Sequence, residues 1–142
     1  LAALSHLYLL TGKDVYRERA MALTASFSGA AERLALAAPS FVAATRIMET
    51  TVQIVIVGMG VDADALRQAA LDLPVPDLLL LSVPDPSVLP AGHPAAGKKL
   101  VEGTAAAYVC RGLVCEAPET DPDRLRRLLS GVMPPKGTPA SK

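Results

Sequence analysis

The chain predicts an α/β fold in which N-terminal helical hairpins lead into a small, mainly parallel three-stranded α/β unit. Three observations carry this. The segment before Thr51 is dense in Ala and Leu at helical spacing. VQIVIVG (Val52–Gly58) and DLLLLSV (Asp77–Val83) are apolar on both faces, as buried parallel strands are. The segment that joins them has a helical period.

Taken in order, LAALSHLYLL followed by TGKD reads as the end of an apolar helix, a glycine turn at Gly12 and a new helix capped by Asp14. In that helix Tyr16, Ala20, Leu23 and Phe27 recur at helical spacing and should face a core. Another helical stretch is expected within AAERLALAA, and one more over SFVAATRIMET, starting after Pro39 with Ser40 as its cap. Helices this rich in Ala and Leu need neighbours to cover them, and the chain offers few. After the first strand, Asp62 should cap a helix that buries Leu66, Ala69 and Ala70 and stops at LPVP, completing a βαβ unit. A third strand is expected at Thr104–Cys110, and a closing helix after ETDPD should bury Leu125, Leu128 and Leu129. From Pro84 to Gly103 the density of Pro and Gly makes a long irregular loop, of a kind that often carries function. The tail MPPKGTPASK reads as disordered.

Composition narrows the function classes. Hydrophobic residues are 51% and charged residues 20% of 142, enough for a substantial core. Lys plus Arg and Asp plus Glu are equal at 14 each, so no net field draws in nucleic acid or an acidic membrane, and neither partner is expected. The longest strongly apolar run, Leu78–Val83, falls far short of the about 20 residues that cross a bilayer. Leu1 lies inside an apolar helical pattern without a basic leader or cleavage site, which reads as a cut from a longer polypeptide. Two Cys are too few for a disulfide framework, and a reducing cytosol is the default compartment.

Two motifs could carry chemistry. GMGVDA fits the dinucleotide turn G-x-G-x-x-[GA] with Gly58, Gly60 and Ala63, after a strand and before a helix, so Gly58, Gly60 and Asp62 are the candidate cofactor-binding residues. Asp62 and Asp64 oppose that reading, because they place two carboxylates where the helix dipole and free amides would otherwise receive a phosphate. Ser82 also stands where the ribose-binding acid should close the second strand. These residues therefore favour a tight strand-to-helix turn capped by Asp62, with no cofactor, over a nucleotide site. Cys110 and Cys115 flank RGLV where the third strand leaves the sheet, and C-x4-C at a strand end lacks the helix-start placement that lowers a thiol pKa. They read as two half-buried thiols, with a redox or disulfide role as the alternative. A zinc site would need two further ligands, and the two histidines are His6 in an apolar helix and His93 in the long loop. His93 could act as a loop general base, but a lone loop His is more often a solvated side chain. Lys98, Lys99, Arg124, Arg126 and Arg127 read as solvated faces balanced by nearby acids. No catalytic set and no metal site can be assembled from these residues.

LYLLTGKDVYRERA, VQIVIVG and GTAAAYVCRGLVCEAPETDPDRL together resemble the C-terminal end of the thioredoxin-domain-containing proteins of the YyaL and spermatogenesis-associated type. The signature falls on Tyr108, Val109, Cys110, Cys115, Pro118, Thr120, Asp121 and Pro122. The resemblance implies a thioredoxin-like domain and a six-hairpin α/α toroid upstream, and a division of this chain into toroid hairpins (1–49), an α/β closure (50–132) and a tail (133–142). It implies a non-catalytic structural region of a cytoplasmic protein, with the rest of the parent polypeptide as partner. A nucleotide-binding module and a redox pair at Cys110 and Cys115 are the alternatives.

Overall fold

The computed structural model of the chain describes residues 1–33, 39–75 and 77–131. The expected tail lies outside the described residues, as do the last five residues of AAERLALAA before Pro39 and Pro76 of LPVP.

Helix α1 (Ala2–Thr11) stops at Gly12, whose φ of 64° is the left-handed conformation that glycine adopts without penalty, and whose N–H donates to the Tyr8 carbonyl. Helix α2 runs unbroken over Asp14–Arg33, so Asp14 is its first residue rather than its cap, and AAER is its last turn rather than a separate helix. Helix α3 (Pro39–Thr50) takes Pro39 into its first turn, where a missing N–H costs nothing, and Ser40 lies inside it. Ala20 is fully buried and Tyr16 and Leu23 half-buried as the spacing predicts, but Phe27 is 52% exposed. Its ring instead meets Phe41 of α3 at 6.0 Å, bridging the two helices. Helix α1 packs on both α2 and α3.

Thr51 leads α3 straight into β1 (Val52–Val57), every residue of which is buried. Helix α4 (Val61–Leu71) follows and returns the chain to β2 (Leu78–Val83), parallel to β1. Gly60, not Asp62, holds the cap position of α4. The turn is made by two glycines with positive φ, Gly58 and Gly60, so the helix starts at Val61 and Asp62 sits in its first turn without a capping hydrogen bond. The strands β3 (Ala106–Arg111) and β4 (Val114–Cys115) complete a four-stranded sheet in the order β2-β1-β3-β4.

The α/β expectation holds, with N-terminal helices followed by a small sheet. The sheet is mixed rather than mainly parallel, since β3 runs antiparallel to β1 and β4 antiparallel to β3. The cause lies in the β2–β3 connection. A parallel return needs a crossover, usually helical, and this segment holds only one 3₁₀ turn, Pro86–Val88. It passes over one face of the sheet and re-enters at the end where β2 leaves it, so that Ala106 at the start of β3 pairs with Val57 as Val83 at the end of β2 does.

The two sheet faces are covered differently. Ile54, Ile56 and Val109 point to one face, where Leu66 of α4 and Leu125 and Leu129 of helix α5 (Pro122–Ser130) close the core. Asp121 caps α5 by accepting from the Asp123 and Arg124 N–H groups, and those bonds hold its carboxyl below the ordinary carboxylate range. Arg126 joins α5 to the end of α4 through Nη2 and Nε, both donating to Asp72 Oδ2 at 2.7 and 3.0 Å, so it is not simply a solvated cation. On the other face Val55, Val57, Tyr108 and Cys110 are covered by the long loop, through Ala95 and half-buried Leu89 and Val101.

Candidate functional site

The glycine turn comes first. Gly58 continues the ladder by donating its N–H to the Val83 carbonyl at 2.9 Å. A Cβ on it would meet Ala105 Cβ and Leu100 Cδ2, both at 2.9 Å. The crevice beyond a parallel strand, where a pyrophosphate would lie against the first glycine, is therefore occupied by the segment entering β3. Gly60 faces open space, but Met59 and Val61 beside it are 75% and 84% exposed and form no wall. Asp62 and Asp64 are exposed at the start of α4, and Asp64 pairs with Arg67 at 2.7 Å. Gly58, Gly60 and Asp62 are thus brought together as a tight strand-to-helix turn.

Cys110 and Cys115 are opposite one another across the β3–β4 hairpin and are joined in a disulfide, rather than standing as two separate thiols. The register explains this. Arg111 and Val114 flank the two-residue turn, Glu116 N–H donates to the Val109 carbonyl at 2.9 Å, and the intervening Cys pair occupies the non-hydrogen-bonded position where side chains approach most closely. Arg111 and Glu116 form an ion pair of 2.5 Å beside the bridge. Cys110 is fully buried and Cys115 half-buried, with Cys115 Sγ 3.5 Å from the Pro94 carbonyl oxygen.

That contact leads to the residue that sequence reasoning placed wrongly. His93 is not a solvated loop histidine; it is 3% exposed and wedged against Gln53, the one polar side chain of β1, which is 1% exposed. Gln53 also sits opposite Cys110 in the β1–β3 register, so Gln53, Cys110 and His93 share the face under the loop. Gln53 Nε2 stands 2.8 Å from His93 Nε2 and 3.1 Å from the Leu9 carbonyl at the end of α1. The Ala95 N–H points at His93 Nδ1 from 3.1 Å. Both ring nitrogens thus face a donor, and a neutral imidazole has one acceptor nitrogen. Turning the Gln53 amide over would give Nε2–H an acceptor in Oε1, which otherwise has no partner, but would set Oε1 against the Leu9 carbonyl. In neither arrangement does a doubly protonated ring find two acceptors. Burial acts in the same direction and holds the His93 pKa below its ordinary value. The signal in the sequence was Gln53, an amide in a strand otherwise apolar on both faces.

The loop is fastened at further points. Gly92 lies against Gly12, so that a Cβ on Gly92 would meet the Gly12 carbonyl oxygen at 2.9 Å. Tyr108 Oη donates to the Lys99 carbonyl at 2.6 Å, and Lys98 Nζ lies 5.6 Å from the centre of the same ring. A separate open groove of about 770 Å³ runs between α1, α3 and the sheet edge, lined by Ala2, Ala43, Ala44, Ile47 and Val75, with the Thr50–Asp77 hydrogen bond at its rim. Among the described residues no three His, Cys, Asp or Glu side chains cluster as metal ligands, and no helix is long and apolar enough to cross a membrane.

Five residues of the sequence signature have structural roles. Tyr108 anchors the loop, Cys110 and Cys115 close the hairpin, and Asp121 and Pro122 start α5. Each of these five holds two parts of the chain together or starts a helix. The chain is similar to spermatogenesis-associated protein 20. The protein of that name from Homo sapiens is 34% identical over 132 aligned positions, covering 89% of this chain, and that from Rattus norvegicus is 33% identical over the same span. The chain spans only 17% of the length of these relatives of spermatogenesis-associated protein 20 type. No family model matches it, and no solved structure does.

Proposed function

We propose that this chain is a non-catalytic packing region of a larger polypeptide related to spermatogenesis-associated protein 20. The observation that carries the reading is the use of the signature residues: all that have an assigned contact fasten loop, hairpin or helix, and none lines the groove. The relatives are several times longer than the match, which supplies a polypeptide to pack against. In this reading α1–α3 are the last helices of an α/α toroid, the α/β unit closes its C-terminal end, and the parent is a cytoplasmic thioredoxin-domain-containing protein. The groove over Ala43, Ala44 and Ile47 receives the preceding part of the chain. An Ala44→Arg substitution tests it. In the full-length polypeptide it should lower the melting temperature by several degrees and increase dye binding to exposed apolar surface, while leaving the isolated chain nearly unchanged. An isolated chain that is monomeric and dye-free, together with a full-length protein indifferent to the substitution, would overturn it.

A second reading, a thiol redox role for Cys110 and Cys115, is favoured by the disulfide that joins them and by the partial exposure of Cys115. Native thiol titration before and after mild reduction tests that reading. The nucleotide alternative at Gly58, Gly60 and Asp62 is not adopted, because Leu100 and Ala105 fill the space at Gly58.

A further inference from the structure

We infer that the Cys110–Cys115 bridge is a thiol-exchange site, attacked at Cys115 by a small monothiol of the glutathione class, and that its state sets how firmly the His93 loop holds α1 on the sheet. This rests on the redox reading above and is independent of the packing reading.

The attack has one open direction. Cys110 lies at 0% exposure under the loop, whereas Cys115, on the two-residue strand β4, is only half-buried. A thiolate reaching Cys115 Sγ forms a mixed disulfide there and expels Cys110 as a thiolate, which takes up a proton to become a buried thiol beside the Tyr108 carbonyl. A second monothiol then attacks the sulfur of the bound one. It leaves as the oxidised dimer, and Cys115 is released and protonated. Two small thiols are oxidised, and one protein disulfide is reduced to two thiols.

The consequence for the loop follows from how little else holds the hairpin. Beyond the bridge, β4 is secured by one short ladder, the exposed Arg111–Glu116 pair and the Glu116 N–H bond to the Val109 carbonyl, and the chain is next fixed to β3 at the Ala107–Glu119 bridge. A hairpin of this size is marginal alone. Cys115 Sγ is also the contact of β4 with Pro94, the residue after His93. From His93 the connection runs to Gln53 and from Gln53 to the Leu9 carbonyl of α1, with Gly92 against Gly12 alongside. Freeing β4 therefore removes the outer support of the segment that ties the helices to the sheet.

The test uses the full chain without substitution. It is equilibrated natively in mixtures of reduced and oxidised glutathione, the thiols are counted by alkylation and mass, and amide exchange is followed in both states. The expected result is native reduction, alkylation of Cys115 at least tenfold faster than of Cys110, and at least fivefold faster exchange of the Ala95 and Ala96 amides in the reduced form. Native reduction with unchanged Ala95 and Ala96 exchange would overturn the coupling while leaving the redox reading intact. A bridge reducible only in denaturant would overturn both.

Discussion

Gln53 on the central strand and His93 in the long loop meet at 2.8 Å in the interior, and the same amide nitrogen reaches the Leu9 carbonyl at 3.1 Å. One side chain thus joins three parts of the chain that are far apart in sequence. Replacing it with an apolar residue of similar volume leaves the Leu9 carbonyl without this donor. Gln53→Leu should therefore cost about 1–3 kcal/mol in urea unfolding, the cost of a buried polar group left unpaired. A variant as stable as the parent would show that the amide contributes no net hydrogen bond.

His93 gives the stability a pH dependence whose sign can be stated. Burial lowers its pKa in the folded state below the ordinary 6.5, so between those two values the unfolded chain binds more protons than the folded one. Stability attributable to this group is complete above the unfolded pKa, declines as pH falls below it, and stops changing once pH passes below the folded pKa. Melting temperatures measured from pH 8 down to pH 5 should fall most steeply below about 6.5. The His93→Gln variant should lose that slope, and an unchanged slope would assign it to another group.

Gly12 and Gly60 both have positive φ, at 64° and 88°, but only Gly12 is crowded, since a Cβ there would run into the Gly92 backbone. Gly60→Ala should cost about 1–3 kcal/mol for its backbone alone, since φ 88° with ψ −164° is a conformation essentially reserved for glycine. Gly12→Ala should cost more, because it must also push the loop off the end of α1. Equal losses by thermal melting would mean that the Gly12–Gly92 approach is easily relaxed.

Leu125 is fully buried against the sheet face covered by α4, so Leu125→Ala should cost about 2–5 kcal/mol. Val114→Ala, on the exposed tip of β4, should stay within about 0.5 kcal/mol. Chemical denaturation of the two variants side by side checks whether α5 belongs to the same cooperative unit as the sheet.

Millimolar NAD, FAD or ADP should leave the melting temperature unchanged, since Leu100 and Ala105 stand at Gly58 where a pyrophosphate would need room. A rise with any of them would return Gly58, Gly60 and Asp62 to consideration as ligands.

Much of the architecture was legible because it follows from local pattern. The apolar strand at Val52–Val57, the helix burying Leu66, Ala69 and Ala70, and the closing helix burying Leu125 and Leu129 all lie where periodicity put them. The direction of β3 was not legible, because residue alternation is the same for a strand run either way and only the route of the connecting loop decides. By residue type Asp62 reads as a cap, whereas the two positive-φ glycines move the helix start ahead of it. The Cys pair could be seen but not its bridge, which depends on a register set by the turn at Gly112 and Leu113. His93 was misplaced because its partner is 40 residues distant and its burial comes from a loop folding over the sheet.

The strand order also leaves β2 at the rim, and among the described residues β1 is its one neighbour. Its sequence, LLLLSV, has no charge, proline or bulge of the kind that blunts such a border. Its outward row of amides and carbonyls can accept an extended segment by β-augmentation. In the isolated chain the same border can recruit a second copy. Its behaviour at high concentration then depends on what lies beside Leu79 and Leu81.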